Sequence, residues 1–156
     1  MIKCFKIYLI LLLVTLITGC SYKPILSKQN YEFSIEKTEF SGDKEVNSFI
    51  EKQLKYLKKS KNKNKYYVKI KSSKIKKTIS SDSKGDPSKL EIIIISDFTV
   101  SNSERLLIEK KLKVKNNYNN ISDKLKLKKY ELIIIENLSR RILDNIIFAI
   151  TNINDN

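Results

Sequence analysis

The amino terminus constrains the fold first, because it decides which residues are left to build it. Lys3 and Lys6 precede an apolar run from Ile7 to Ile17, which ends in Thr18-Gly19-Cys20. A charged start, a short apolar stretch and a small-residue cleavage site form the pattern of an export signal. A membrane-spanning helix needs about 20 mostly apolar residues, and this run is shorter. Residues 1–19 therefore read as a removed signal, leaving 137 of the 156 residues to fold. That length suits one core and is too short for two ordinary domains. Cys4 leaves with the signal, so no thiol pair remains and packing alone has to hold the fold.

Leu16-Ile17-Thr18-Gly19-Cys20 resembles a bacterial lipobox, which places cleavage between Gly19 and Cys20 and makes Cys20 the lipid-anchor residue. Several acyl chains, at about 0.8 kcal/mol per buried methylene, hold a protein firmly, whereas one chain binds marginally. The competing reading is an uncleaved anchor in which Cys20 is a small buried residue. Ser21 follows the cysteine where an aspartate would be the alternative, which fits sorting to the outer membrane, on its periplasmic side.

The formal charge of +14 falls to +12 once Lys3 and Lys6 are lost. Such a surface favours anionic partners. A base composition rich in A and T would also enrich lysine, asparagine and isoleucine, so the position of charge says more than its amount. Nucleic acid is not expected as a partner, because the export signal takes the chain out of the cytoplasm. The chain has no histidine, and its mature part has no cysteine free of lipid. The usual general base, thiol nucleophile and transition-metal ligands are thus missing. No phosphate-cradling glycine loop occurs, and most acids sit beside lysines. The expectation is a chain that is not an enzyme and carries no cofactor or metal; a carboxylate hydrolase is the weaker rival.

Residues 20–32, interrupted by Pro24, read as a polar tether ahead of a single domain over 33–156. Phe33 and Ile35, with Lys37 as a third candidate, alternate with polar neighbours up to Phe40, and Ser41-Gly42-Asp43 supplies turn and cap chemistry. From Lys44 to Lys59, Val46, Phe49, Ile50, Leu54 and Leu57 recur at helical spacing. Tyr66, Val68 and Ile70 share one strand face, while Ile75 and Ile79 have the opposite parity. This predicts a β-bulge near Ser72-Ser73. Leu90 to Val100 reads as a third strand, joined through Ser101-Asn102-Ser103 to a fourth from about Glu104 to Lys115. That loop opposes Phe98 to Leu106, Ser96 to Ile108, Ile92 to Leu112 and Leu90 to Val114, which keeps apolar residues on one face.

A last segment starts near Ser122-Asp123 and carries Leu127, Tyr130, Ile134, Leu138, Ile142, Ile146 and Ala149 at helical spacing. Leu132, Ile133, Ile135, Leu143, Ile147 and Ile150 widen its apolar face, and the tail beyond Ile150 is expected to fray. The order β-α-β-β-β-α predicts an α+β two-layer sandwich, with two helices on one face of a four-stranded mixed sheet.

The helix-free face is the candidate binding surface. It is expected to carry Ile93, Ile95 and Leu107 between Lys111, Lys113 and Lys115, with Lys69, Lys74 and Lys76 alongside. Glu91 and Lys113 are expected to form a cross-strand ion pair. Taken singly, the lysines read as ordinary solubilising positions, and strand propensity alone can explain isolated isoleucines. The apolar patch points to contact, since a sheet with one solvated face otherwise alternates more cleanly.

Gly19-Cys20-Ser21-Tyr22-Lys23-Pro24-Ile25 is similar to the Gly-Cys-Gly-aromatic-x-Pro-Leu start of the lipopolysaccharide-assembly lipoproteins called LptE. The element order, the Asp82-Ser83-Lys84-Gly85 loop before an isoleucine-rich strand, and Tyr130-Glu131 followed by Asn137-Leu138 extend the resemblance over the mature chain. Ser21 departs from the family's glycine. The resemblance implies a plug and assembly partner of the outer-membrane β-barrel LptD, handling lipopolysaccharide by binding and without covalent chemistry. It carries over only Cys20 by motif. The alternative is another envelope lipoprotein, a transporter-associated or envelope-assembly accessory that binds a protein.

Overall fold

A computed structural model describes residues 33–57 and 64–154. Cys20, the signal over 1–19, the tether over 20–32 and the last two residues of the first predicted helix lie outside the described residues. The elements run β1 (Phe33–Gly42), α1 (Lys44–Leu57), β2 (Asn64–Ser81), β3 (Pro87–Ser101), β4 (Leu106–Asn119) and α2 (Lys124–Asn154). The sheet order is β1-β2-β3-β4, with β1 parallel to β2 and the other pairs antiparallel. Both helices pack on one face, giving the expected α+β sandwich.

The β1–α1–β2 crossover is built by short-range chemistry. Gly42 ends β1 at φ +89°, and a Cβ there would lie 1.9 Å from the Ser72 carbonyl oxygen. Only glycine permits that approach. Asp43 caps α1, its carboxylate accepting from the backbone N–H groups of Glu45 (3.1 Å) and Val46 (3.0 Å). The Ser72 hydroxyl donates to the buried Asn47 amide oxygen at 2.7 Å, and Asn47 donates onward to the Ser41 carbonyl at 3.0 Å.

The register of β1 against β2 shifts between Ile35 and Lys37, and that of β2 against β3 shifts only at its far end, between Thr78 and Ser80 and between Ser80 and Ser81. Ile35 pairs with Tyr66 and Lys37 with Tyr67, so Glu36 is the extra residue. It turns Lys37 and Glu39 to the open face and brings Phe40 round to the helices. β2 runs in continuous register against β3 from Tyr67 to Thr78, with no bulge near Ser72-Ser73. Ile75 projects from the open face, 45% exposed, whereas Ile79 is the extra residue at the shift between Thr78 and Ser80, 44% exposed.

The last hairpin also differs from expectation. Phe98 opposes Lys110 and not Leu106, a slide of four residues. The cause is the turn. The Asn102 side chain accepts from the backbone N–H groups of Glu104 and Arg105, and Asn102 N–H donates to the Arg105 carbonyl at 3.1 Å. The closed turn thus spans Asn102 to Arg105, and β4 begins at Leu106. From Ile108 onward the even slide leaves side chains on their expected face while changing their neighbours. A shift between Val100 and Ser101 sets Leu106 opposite Ser101 and leaves Leu107 as the extra residue, packed against the core.

The core joins Phe33, Ile35 and Phe98 to Ile92, Ile94, Val46, Ile50 and Leu54, and is closed by Ile134, Leu138, Ile142, Ile146 and Ile150 of α2. α2 is about 46 Å long at 1.5 Å per residue. It continues beyond Ile150 to Asn154, because Ile153 still packs against the core and Thr151 donates to the Ile147 carbonyl. Ile133, expected to widen the apolar face, is 54% exposed. At about 100° per residue it projects almost opposite the stripe formed by Leu138, Ile142 and Ile146. Among the described residues, no helix is long and apolar enough to cross a membrane.

Candidate functional site

Strand parity decides which lysines can act together. Lys69, Lys71, Ile75 and Lys77 of β2 face the open side, level with Thr99, Asp97, Ile93 and Glu91 of β3. Glu109, Lys111, Lys113 and Lys115 continue those rows on β4 opposite Thr99, Asp97, Ile95 and Ile93. Lys74 and Lys76 have the other parity. Without the expected bulge they emerge on the helix side, which corrects their assignment to the open face.

Each is engaged there. Lys74 pairs with Glu45 and with Asp43 (3.5 Å), clamping the first turn of α1. Burial opposes the charge on Lys74, but the hydrogen bond to Glu45 and the field of Asp43 raise its pKa overall. Lys76 meets Glu131 of α2, which also accepts a 2.7 Å hydrogen bond from the Tyr118 hydroxyl. Burial pushes the Glu131 carboxyl upward, but Lys76 and Tyr118 outweigh it and hold it below the usual carboxylate range. Burial, followed by the neighbouring Glu131, moves the Tyr118 phenol strongly upward.

The register slide also divides the expected apolar patch. Ile95 opposes Lys113, six residues along β4 from Leu107, so Leu107 lies roughly 20 Å from it. Leu107 therefore belongs to the turn end of the hairpin. Lys69 and Lys111 lie towards that end as well, neutralised by Glu39 at 3.1 Å and Asp97 at 3.6 Å. A groove of about 330 Å³ opens beside them, where Lys69 and Lys71 face the carboxylates of Glu39, Asp97 and Glu109.

The other half of the open face is different. Ile75 and Ile93 stand side by side, and Ile95 follows on the next outward position of β3. Ile93 is buried and Ile95 half-buried, while Ile75 remains exposed. Lys77, Lys113 and Lys115 surround them. The expected Glu91–Lys113 pair does not form, because the slide brings Asn117 opposite Glu91. Glu91 is 4% exposed and is reached by Lys77 at 3.0 Å and Lys115 at 3.4 Å. The Lys77 hydrogen bond, reinforced by Lys115, holds its carboxyl below the ordinary range. Lys113 has no ion pair among the described residues. Three ammonium groups and one carboxylate thus frame an isoleucine surface, a net charge of +2.

Around the edge of β2 the cationic surface continues into a groove of about 400 Å³, lined by Lys76, Lys77 and Lys124 over Leu90 and Leu127. Among the described residues, no carboxylate lines it. α2 begins here with Lys124, Lys126, Lys128 and Lys129 and no acid in its first turn, although the positive end of a helix dipole disfavours cations. The α1 start carries Glu45 and its end Lys55, as the dipole favours. Sequence reading missed Lys77 and Lys124. The odd parity of Lys77, shared with Ile75, was the available sign; Lys124 gave none, since only the return of α2 under the β2–β3 hairpin brings it near.

Among the described residues, no group of three or more histidines, cysteines or carboxylates is placed to hold a metal ion. The open face offers charge, apolar area and hydrogen-bond donors.

No protein-family model matches the sequence, and no curated protein matches it significantly. Solved structures do match in fold. Rare lipoprotein B from Shewanella oneidensis superposes with a TM-score of 0.58 at 15% identity, over 76% of this chain and 96% of that one. An uncharacterized lipoprotein B from Nitrosomonas europaea gives 0.58 at 9% identity, over 82% and 90%. A minor lipoprotein from Acinetobacter baumannii gives 0.50 at 10% identity, over 72% and 90%. The fold is therefore one that bacterial lipoproteins adopt.

Proposed function

We propose that this chain is an envelope lipoprotein, tethered through Cys20 to the outer membrane, that works by binding and not by covalent chemistry. Its role on this reading is that of the LptE proteins it resembles: plug and assembly partner of an LptD-like β-barrel in lipopolysaccharide transport. The lipobox-like run ending at Cys20 and the fold shared with bacterial lipoproteins support the tether. The observation that carries the ligand is the isoleucine surface of Ile75, Ile93 and Ile95 framed by Lys77, Lys113 and Lys115. Lysines attract phosphate groups as point charges, and the isoleucines offer area to acyl chains. A phosphorylated glycolipid presents both at once.

The test is direct binding of purified lipopolysaccharide to the mature protein. Replacing Lys77, Lys113 and Lys115 together by Ser is expected to weaken binding at least about tenfold at low salt, with a smaller difference at high salt. Unchanged affinity would remove the glycolipid from this face. Copurification of a large β-barrel would support the partner; recovery of an inner-membrane ATPase complex in its place would defeat it. The second reading, an accessory that binds a protein, is favoured by Ile133 and Phe148, which stand 54% and 66% exposed on the outer side of α2.

A further inference from the structure

Glu91 is out of keeping with its surroundings. It is an acid at the centre of a surface that otherwise presents cations, and it is 4% exposed on the sheet face opposite the helices. A carboxylate that merely solubilised the face would reach into water. This one lies beneath two ammonium groups whose side chains remain 55% and 64% exposed.

The strands explain the arrangement. Lys77 lies opposite Glu91 on β2, whereas Lys115 lies on β4 opposite Ile93, one outward position further along. β2 and β4 flank β3 and are therefore about 10 Å apart. Two lysines at that separation repel each other and lose rotamer freedom if brought together. Both nonetheless converge on one carboxylate, at 3.0 Å and 3.4 Å. A single negative charge cannot neutralise two positive ones, so the cluster keeps a net cation while its geometry is fixed.

We infer, on the glycolipid-binding reading above, that Glu91 is a positioning residue: it gathers Lys77 and Lys115 into a two-point clamp for a phosphate group seated beside Ile75 and Ile93. The ordering of the two lysines is then complete before the ligand arrives, and pre-organisation of this kind raises affinity by lowering the cost of binding. The simple electrostatic expectation has the opposite sign. An acid inside an anion site repels the ligand, so its removal should tighten binding.

The experiment measures the dissociation constant of the mature protein for purified lipopolysaccharide, in Glu91→Gln, in the Lys77→Ser/Lys115→Ser pair, and in all three changes combined. Positioning predicts that Glu91→Gln weakens binding about three- to tenfold, that the lysine pair weakens it further, and that Glu91→Gln adds nothing once both lysines are gone. Glu91→Asp, which keeps the charge but draws it back by one methylene, should fall between wild type and Glu91→Gln. It serves as the test variant if the glutamine form does not fold. Equal or tighter binding by Glu91→Gln, with the lysine pair impaired, overturns the positioning role and leaves the glycolipid reading standing. Wild-type binding by the lysine pair overturns both.

Discussion

Gly42, Ser72 and Ser96 share one row of the sheet's helix side, and each is small for a different reason. At Gly42 the positive φ and the 1.9 Å approach to the Ser72 carbonyl leave no room for a methyl group. Gly42→Ala should cost about 2 to 4 kcal/mol, measured by urea denaturation. Ser72→Ala strands the buried Asn47 amide and should cost about 1 to 3 kcal/mol in the same assay. Among the described residues the buried Ser96 hydroxyl has no hydrogen-bond partner, so Ser96→Ala should be neutral or stabilising by up to about 1 kcal/mol. A clear loss at Ser96 would mean that its hydroxyl is bonded after all. At acid pH the Glu131 carboxylate should matter. Its folded pKa is lowered, so its contribution is present above about 4.5 and is lost as pH falls through the folded value. The urea midpoint should drop through that range, and Glu131→Gln should lose about 1 kcal/mol at neutral pH and show a shallower acid decline.

Among the elements, those read correctly were those whose local and long-range demands agree. α1 has a cap, an apolar stripe at 3.6-residue spacing and lysine near its end, and all three survive in the fold. The two misplacements concern parity and register, which short-range pattern fixes poorly. A parity change between Tyr66 and Ile79 suggested a bulge in β2. Ile75 instead belongs to the open face, Ile79 sits at a shift near the end of β2, and β1 shifts between Ile35 and Lys37. For the last hairpin, matching apolar residues left several even registers acceptable, and the Asn102 turn selected another one. Cysteine pairs test that register, since opposed Cα atoms lie within disulfide reach. Ile95→Cys with Lys113→Cys should cross-link readily, whereas Ile95→Cys with Glu109→Cys, opposed in the register expected from sequence, should not.

For the molecule as a whole, the sequence carried the layer architecture and the presence of a lysine-and-isoleucine face, but not the composition of that face. Lys113, Lys115, Ile93 and Ile95 stay together. Lys74 and Lys76 turn to the helices, Leu107 moves to the turn end, and Lys77 takes a central place. Pairing alone decides those outcomes, so composition could not. In the proposed function this half of the open face receives a phosphorylated, acylated ligand. Photo-crosslinking in the growing cell asks that most directly, with a benzophenone amino acid at Ile75 and, for comparison, at Phe148 on the far side of α2. A lipopolysaccharide adduct at Ile75 and none at Phe148 is the predicted result. An adduct at Phe148 alone, or none at either position while lipopolysaccharide export proceeds, would contradict it.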